Sequence, residues 1–343
     1  MKFETPKPNQ FYYKLYMLIG MLRYPRRLWN FIKYSLQKFN HNIDYYPTMM
    51  DLEPTQRCNY RCVMCTPFKE KRRDMTFDEF KRIVDEQIGL IEIKIQGVGE
   101  PLLCKDFFKM LEYARKKWLW VRTTTNGSLL HLNDNYKKLV DSRVHDVNIS
   151  IDGSDKEIYE AIRVGGNFET LTRNCKLIND YNNKVKKTVV RAWVVVQKKN
   201  KHQFFDFPRF FADLEFKEMT MSFAMHNYGR KEENTEATTF GFTDQDFAKL
   251  FKIADEVGIK ITFFFHPSFS AERFCQIPFK RIYVTTDGHI LPCCYIANQE
   301  VLDFGHYDDF EEIWFKKYIG FRKGMKDKSL VPEHCLDCYG GKK

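Results

Sequence analysis

The regular alternation of strand-like and helix-like segments between residues 49 and 225 is the feature that most constrains the fold. Short apolar runs of strand length are separated by longer segments with apolar residues at helical spacing. Thr76-Phe77-Asp78-Glu79 is a capping box and marks the start of the first intervening helix. The candidate strands are residues 49–53, 91–96, 119–124, 146–151, 188–196 and 218–223. Strands that alternate with helices form parallel sheets, so the pattern predicts an α/β fold.

Three cysteines, Cys58, Cys62 and Cys65, follow the first candidate strand in a CxxxCxxC spacing. A loop of this length can bend around a single point, so its three thiols can each bind a different iron atom of one cubic iron–sulfur cluster. Three thiolates leave one iron of a [4Fe–4S] cluster open to an outside ligand, whereas electron-carrying clusters are usually held by four. Zinc is the alternative, but structural zinc sites take four nitrogen or sulfur ligands, and no fourth ligand lies nearby. The spacing therefore favours an iron–sulfur cluster with one open iron.

The strands after these cysteines end in polar turns that contain glycine. Gly97-Val98-Gly99-Glu100-Pro101 follows the second strand, Thr125-Asn126-Gly127 ends the third, and Ser150-Ile151-Asp152-Gly153 ends the fourth. Each turn alone is a weak signal, because such turns are common. In this order behind CxxxCxxC they resemble the motifs of the radical S-adenosylmethionine (radical SAM) superfamily, with Val98 interrupting the paired glycines of its GGEP motif.

The resemblance implies a partial (β/α)6 barrel over residues 49–225, with its chemistry at the C-terminal ends of the strands. It also implies that the three cysteines hold a [4Fe–4S] cluster whose open iron chelates the amino and carboxylate groups of SAM. One electron from this cluster would cleave SAM to a 5′-deoxyadenosyl radical, and that radical abstracts a hydrogen atom from the substrate.

The same resemblance implies a set of cofactor-binding residues around SAM. Glu100 is expected to accept a hydrogen bond from the SAM ammonium group. Ser150 and Asp152 are spaced by two residues and are expected to point together at the SAM ribose or the substrate. Arg163 is expected near the SAM carboxylate, with a surface ion pair to Glu160 as the alternative. The full set is Tyr60, Gly97, Gly99, Glu100, Pro101, Thr125, Asn126, Ser150, Asp152 and Arg163.

A second group of cysteines lies near the end of the sequence, on both sides of a predicted hairpin that turns at Asp287-Gly288. The pattern C-x17-C-x41-CxxC resembles the twitch or SPASM-type extension of radical SAM enzymes and implies one auxiliary [4Fe–4S] cluster. A zinc ribbon is the alternative. The implied ligands are Cys275, Cys293, Cys335 and Cys338. Neighbouring residues of a strand point to opposite faces, so Cys294 is left as a packing thiol or a reactive one.

An auxiliary cluster that accepts an electron predicts a radical SAM oxidoreductase, and the first hypothesis is dehydrogenation of a sugar-like or glycolipid-like substrate. A redox-neutral epimerase is the first alternative, with Cys294 or Cys104 returning a hydrogen atom to the substrate. Peptide maturation is a further alternative. A non-enzymatic iron–sulfur electron carrier is disfavoured, because it would need no SAM pocket.

Residues 1–48 are predicted to form a basic helical extension of two amphipathic helices broken near Pro25. Their apolar stripes fit either packing on the catalytic domain or contact with an anionic membrane surface. The longest uncharged apolar run there, Leu15 to Leu22, is too short to span a bilayer. Residues 226–343 are predicted to form a linker and a small cysteine-rich auxiliary-cluster domain.

Ten cysteines in metal-binding patterns without a secretory signal predict a cytoplasmic protein, with peripheral contact at the inner membrane face as an added hypothesis. The formal charge of +10 suits several anionic partners. These are a phosphorylated or nucleotide-linked small-molecule or glycan-type substrate, a lipid head group, and an acidic flavodoxin or ferredoxin as electron donor. Nucleic acid is not expected, because no basic-aromatic binding module is recognisable outside the N-terminal helices.

Overall fold

One parallel sheet organises the molecule in the computed structural model, which describes residues 4–65, 72–223, 241–264, 275–333 and 335. Within these residues nine strands form a sheet of order β7-β6-β5-β4-β3-β2-β1-β8-β9, and every strand pair is parallel except β8–β9. The strands are β1 Met49–Leu52, β2 Glu92–Ile95, β3 Trp120–Thr125, β4 Asp146–Ser150, β5 Val189–Val195, β6 Glu218–Ser222, β7 Lys260–Phe264, β8 Arg281–Val284 and β9 Ile290–Leu291. The six predicted strands are confirmed as β1 to β6.

Helices follow the strands as the sequence pattern predicted. The capping box at Thr76 is present, with its hydroxyl accepting from the Glu79 N–H and the Glu79 carboxylate accepting from the Thr76 N–H. The turn at Gly165-Gly166 separates the helices Lys156–Ile162 and Phe168–Val185. The helices are α1 Gln10–Arg23, α2 Pro25–Gln37, α3 Phe77–Glu86, α4 Phe107–Lys116, α5 Asn135–Asp141, α6 Lys156–Ile162, α7 Phe168–Val185, α8 Phe207–Asp213, α9 Asp244–Val257, α10 Phe310–Glu312, a π-helical turn Ile313–Lys317 and α11 Tyr318–Lys326.

The sheet extends beyond both ends of the predicted six-stranded core. Strand β7, which the sequence pattern did not indicate, pairs with β6, and β8 pairs in parallel with β1 from Met49↔Arg281 to Leu52↔Val284. The predicted hairpin is confirmed as β8 and β9. The side chain of Phe264 on β7 stacks on Tyr295, which follows β9, with ring centroids 6.0 Å apart. The sheet therefore curves into a partial barrel and runs across the domain boundary expected near residue 225.

Charged side chains fill the barrel interior near the N-terminal ends of the strands. Arg281 lies 3.4 Å from Asp51, Arg122 lies 3.3 Å from Glu92, and Arg191 lies 2.7 Å from Glu218. Asp146 joins two of these arginines, with Arg122 at 3.2 Å and Arg191 at 2.5 Å. Buried charges are tolerated when they are paired in this way.

Helices α1 and α2 lie across the same N-terminal ends of the strands. The Tyr16 hydroxyl donates to the carbonyl of Leu119 at 3.4 Å, and Arg27 donates to the carbonyls of Trp118 at 3.2 Å and Lys117 at 3.0 Å. The side of α1 and α2 that packs is thus aromatic and polar. Packing of these helices on the catalytic domain is therefore confirmed, but most residues of their apolar stripes, such as Phe11, Leu22 and Leu36, are exposed. No helix in the described ranges has the length and apolar content needed to cross a bilayer.

Candidate active site at the C-terminal ends of the strands

A cavity of about 270 Å³ lies where the C-terminal ends of the strands meet. Its wall is formed on one side by the cysteine loop that follows β1 and by the turn that follows β2. Most of the remaining lining comes from strands β2 to β8 and from the segment after β9. Predicted site residues that line the cavity are Cys58, Tyr60, Cys62, Cys65, Gly97, Gly99, Glu100, Thr125, Asn126, Ser150, Arg163 and Cys294. Motifs that lie far apart in the sequence therefore meet around one space.

The cysteine loop is fixed by hydrogen bonds to the end of α6 and the turn after it. The Arg61 N–H donates to the Val164 carbonyl at 2.7 Å, and the Val63 N–H donates to the Ile162 carbonyl at 3.0 Å. The Cys65 N–H donates to the Cys62 carbonyl at 3.0 Å. These bonds close the loop over the cavity and bring its three sulfur atoms to one wall.

Hydrogen-bond donors surround two of the three sulfur atoms. The Tyr60 N–H is 3.4 Å and the Asn126 amide nitrogen is 3.9 Å from Cys58 Sγ, while Arg163 Nη1 is 3.9 Å from Cys62 Sγ. Burial raises the pKa of both thiols above the usual value, so thiolates there need a bound cation, which a metal cluster supplies.

No three Cys, His, Asp or Glu side chains of the described residues are close enough to share one metal ion. The fit to an iron–sulfur cluster therefore rests on the shared cavity and on the donors around the sulfur atoms.

Glu100 is a buried carboxylate that faces the cavity. It accepts hydrogen bonds from the Thr125 hydroxyl at 2.6 Å, the Asn126 N–H at 2.7 Å and the Leu102 N–H at 3.2 Å. Only 2% of Glu100 is exposed, and burial raises the pKa of its carboxyl group. No lysine or arginine of the described residues forms an ion pair with it. A buried carboxylate held in this way fits a cationic ligand, and the ammonium group of SAM is one.

The two glycines of the turn after β2 allow close backbone contact. A Cβ atom at Gly99 would overlap the carbonyl oxygen of Thr55, and one at Gly97 would overlap the side chain of Glu53. Pro101 begins a short 3-10 turn, Pro101–Leu103, and is not among the described residues that line the cavity. The structure therefore contradicts direct cofactor contact by Pro101, whose ring instead fixes the backbone beside Glu100.

Asn126 links the third strand to the cysteine loop. Its amide nitrogen donates to Asn59 Oδ1 at 3.0 Å, and its Oδ1 accepts from the Ser128 hydroxyl at 2.7 Å and N–H at 3.0 Å. The hydroxyl of Tyr60 lies 3.3 Å from that of Tyr159. These contacts orient the loop that carries Cys58.

Asp152 does not face the cavity, contrary to the prediction. It is fully buried, and it accepts from the Val195 N–H at 2.7 Å and pairs with Arg163 Nη2 at 2.6 Å. Strand β4 ends at Ser150, so the alternation that was expected to place Ser150 and Asp152 on one face does not reach Asp152. Asp152 is therefore a positioning residue for Arg163.

Arg163 lines the cavity, and its alternative pairing with Glu160 is wrong, because Glu160 instead lies 4.0 Å from Lys156. Burial opposes the charge of Arg163, but the Asp152 carboxylate more than offsets this and holds the pKa of the guanidinium above its usual range. The charged guanidinium is thus maintained beside the cysteine loop, where a carboxylate of the ligand can bind.

Three of the four predicted auxiliary ligands lie in one neighbourhood. Cys275, Cys293 and Cys335 belong to or pack against the same hydrophobic core. Burial raises the pKa of Cys335 to about 12 and that of Cys293 well above its usual value, and the charge of Cys275 adds to both shifts. Cys338 lies outside the described residues.

Cys293 and Cys294 lie in a turn after β9 rather than in a strand, but they still point to different sites. Cys294 lines the cavity, and Cys293 is not among the described residues that do so. Cys104 is 4% exposed, packs in the hydrophobic core and is likewise not among the lining residues. A hydrogen-atom donor must reach the substrate, so the structure contradicts that role for Cys104.

Two functional residues escaped the sequence reasoning. Glu53 is 2% exposed and accepts hydrogen bonds from the Val98 N–H at 2.8 Å, the Tyr283 hydroxyl at 3.3 Å and the Thr286 N–H at 3.1 Å. Lys94 lines the cavity and makes no ion pair or hydrogen bond with another described residue. The sequence carried a signal for Lys94, because it lies on β2 two residues before Gln96, which directly follows the strand and also lines the cavity.

Comparison with known proteins agrees with this site. The model of the radical SAM superfamily matches residues 52–211, and that of the SPASM iron–sulfur cluster-binding domain matches residues 275–339. The mycofactocin maturase MftC of Mycolicibacterium smegmatis is 32% identical over 142 residues, which cover 40% of this chain and 36% of that relative. The aligned segment is thus little more than a third of that relative's own length.

Two further proteins match along most of the chain. The tungsten-containing aldehyde ferredoxin oxidoreductase cofactor-modifying protein of Pyrococcus furiosus is 27% identical over 314 residues, covering 84% of this chain and 86% of that relative. The crystal structure of Streptococcus suis SuiB bound to precursor peptide SuiA superposes with a TM-score of 0.64 at 16% identity, covering 84% of this chain and 69% of that one. SAM and iron–sulfur clusters are accordingly the cofactors. The chain belongs to the radical SAM superfamily and carries a C-terminal SPASM iron–sulfur cluster-binding domain.

Proposed function

We propose that this protein is a radical SAM oxidoreductase that oxidises a C–H bond of a peptide substrate. The observation that carries the proposal is the turn after β9, where Cys294 lines the cavity and the adjacent Cys293 lies close enough to Cys275 for their charges to interact, as Cys335 also does. One peptide bond therefore separates the substrate cavity from the site suited to an electron-accepting cluster. That proximity favours net oxidation of the substrate.

Residues of one wall are suited to holding the cofactors. Cys58, Cys62 and Cys65 would hold the SAM-binding cluster. Glu100 would bind the SAM ammonium group, and Arg163 would bind the SAM carboxylate. When bound, these cofactors supply hydrogen-atom abstraction from an unactivated C–H bond, and the auxiliary cluster supplies an electron acceptor.

The rest of the lining is suited to the substrate. It includes Lys94, Trp193, Tyr283 and Cys294, so it combines aromatic surface with an ammonium group. Burial, followed by the charge of Arg122, lowers the pKa of Lys94, and a bound anion would reverse that shift. A carboxylate of a peptide is such an anion, and aromatic side chains bury peptide groups well.

The peptide class is supported by related proteins rather than by the cavity alone. One relative is named a maturase, and SuiB was crystallised with a precursor peptide. These names favour the peptide alternative over the sugar-like or glycolipid-like substrate that the sequence first suggested.

A substrate screen tests the proposal. Anaerobically reconstituted protein is reduced with dithionite and incubated with SAM and peptides translated from short reading frames beside its gene, or with a panel of nucleotide sugars. We expect one peptide to stimulate 5′-deoxyadenosine formation and to become lighter by two hydrogen atoms in mass spectrometry. Stimulation by a nucleotide sugar with none by any peptide would contradict the peptide class.

Epimerisation of a peptide residue is the second candidate, and the exposure of Cys294 to the cavity favours it. A thiol there could return a hydrogen atom to the substrate. The product would then keep its mass in ordinary water and change only the configuration at one carbon, which chiral amino-acid analysis detects.

A further inference from the structure

Helices α1 and α2 expose two apolar stripes. On α1, Phe11 is 78% exposed and Leu22 is 64% exposed, and on α2, Trp29 is 62% and Leu36 is 80% exposed. The stripes, taken together as the apolar face, comprise Phe11, Leu15, Leu18, Ile19, Leu22, Trp29, Ile32 and Leu36. Their spacing of three and four residues places each stripe along one side of its helix. Contiguous apolar surface of this kind marks an interaction site.

The apolar face is turned away from the barrel. Tyr16 and Gly20 of α1, and Arg27 and Asn30 of α2, are buried against the N-terminal ends of the strands. In a helix of 3.6 residues per turn these positions lie opposite the exposed stripes. No residue in the described part of the chain covers the face.

The charged residues of α1 and α2 themselves have a single sign, although Asp44, which follows α2, pairs with Lys33 at 2.8 Å. Neither Gln10–Arg23 nor Pro25–Gln37 contains an aspartate or glutamate. Lys14, Arg23 and Arg26 are exposed beside the stripes. An interfacial helix has this composition, with bulky apolar residues on one face and lysine or arginine flanking them.

We propose that the apolar face of α1 and α2 docks on a membrane surface that contains anionic lipids. A second copy of the chain fits less well, because a two-fold symmetric contact brings the same patch of both copies together and would place Lys14, Arg23 and Arg26 near the basic residues of the other copy. Anionic head groups instead complement the basic residues, while the acyl region accepts the apolar side chains.

Docking in this way sets the orientation of the active site. Helices α1 and α2 cover the N-terminal ends of the strands, whereas the cavity lies at the C-terminal ends. The cavity would therefore open away from the bilayer. The protein would act on a substrate presented from the aqueous side.

Vesicle flotation of the full-length protein tests the proposal. Vesicles of phosphatidylcholine with and without phosphatidylglycerol are compared, and we expect strong binding only with the anionic lipid. Leu15→Gln/Leu18→Gln/Leu22→Gln should lower the partition coefficient by at least about tenfold. Leu132→Gln/Leu330→Gln is the matched control, because these leucines are also exposed but lie elsewhere, at 44% and 60%.

Fluorescence quenching by lipids with brominated acyl chains tests the orientation. Trp29 belongs to the apolar face and Trp193 lines the cavity. Quenching should be lost in Trp29→Phe and retained in Trp193→Phe. The opposite result would overturn the orientation.

Absence of wild-type binding to anionic vesicles would overturn membrane docking, as would equal binding to neutral vesicles. A dimer in light scattering that the three-leucine variant abolishes, without vesicle binding, would assign the face to a second copy instead.

Discussion

Arg163 and Asp152 form a buried ion pair of 2.6 Å in which the arginine faces the cavity and the aspartate is fully enclosed. The second carboxylate oxygen of Asp152 accepts from the Val195 N–H at 2.7 Å. The pair therefore ties the loop before α7 to strand β5. It fixes the direction of the guanidinium that would meet the SAM carboxylate.

Asp152→Asn should destabilise the protein, because it leaves a buried guanidinium without its counter-charge. We expect the free energy of unfolding to fall by about 3 kcal/mol, as measured by denaturant titration. Glu160→Gln is the matched control and should change it by less than about 0.5 kcal/mol, since its ion pair is with the exposed Lys156 and the amide oxygen can still accept from the Phe168 N–H. Equal effects of the two substitutions would contradict the role assigned to Asp152.

Glu100→Gln should weaken SAM binding while leaving the fold intact, because the amide keeps the shape but not the charge. We expect the dissociation constant of SAM to rise by about thirtyfold, or about 2 kcal/mol, in equilibrium binding to the reconstituted protein. The exposed Glu112→Gln serves as control. Unchanged affinity in Glu100→Gln would show that the SAM ammonium binds elsewhere.

The iron content per chain should show whether the protein holds two [4Fe–4S] clusters or one. We expect about eight irons per chain after anaerobic reconstitution, and about four in either Cys58→Ala/Cys62→Ala/Cys65→Ala or Cys275→Ala/Cys293→Ala. Cys175→Ala, buried in α7, should leave the iron content unchanged. About four irons and one zinc in the wild type would instead identify a zinc site near the C terminus.

Turnover in D2O should distinguish oxidation from epimerisation. An oxidase returns no hydrogen to carbon, so we expect a product without deuterium at the reacting carbon. Stoichiometric deuterium that disappears in Cys294→Ala but persists in Cys104→Ala would support the epimerase instead. Cys104 is a suitable control because it is buried in the core and is not among the described residues that line the cavity.

His145 should make the protein less stable in acid. Its ring stacks on Trp120 with centroids 3.8 Å apart, and burial, together with the charge of Arg115, lowers its pKa to about 2. The unfolded chain therefore binds a proton below about pH 6.5 that the folded chain does not. The resulting loss of unfolding free energy approaches about 1.4 kcal/mol per pH unit as pH falls below 6.5.

Between pH 7 and pH 5 we expect the wild type to lose more than about 1 kcal/mol of unfolding free energy through this proton, as measured by denaturant titration. The variant His145→Gln should not show this part of the loss. Replacement of the exposed His202 by glutamine should leave it unchanged. If the unfolding free energy of the wild type does not vary between pH 7 and pH 5, the lowered pKa assigned to His145 is refuted.

Local sequence signals predicted the bounds of six strands well, but they did not predict the added strand β7 or the packing of α1. Strands β1 to β6 were placed to within one residue at each end, because apolar runs and caps are encoded locally. Strand β7 was missed, since its five residues carry little periodicity of their own. The sequence left open which side of α1 is buried, because Tyr16 packs through contacts with Leu119 and Arg115, which lie about a hundred residues away.

In the candidate site, too, local motifs predicted some residues, whereas residues positioned by distant contacts were missed. Motifs predicted residues near the strand ends, such as Ser150 at the end of β4 and Glu100 in the turn after β2, and both line the cavity. Asp152 lies beyond the end of its strand, where alternation no longer determines direction. Glu53 was missed because its partners, Val98 and Thr286, come from distant loops.

The parallel pairing of β8 with β1 means that the cysteine-rich end of the chain is not a removable module. A truncated protein that stops at residue 225 would leave β1 with one bare edge, directly beside the cysteine loop. Bare strand edges recruit other chains, so we expect such a fragment to aggregate rather than to bind SAM. Chimeras that exchange the C-terminal part between relatives must therefore keep β8 and β1 from the same protein. We expect a chimera to be active only when this strand pair is native.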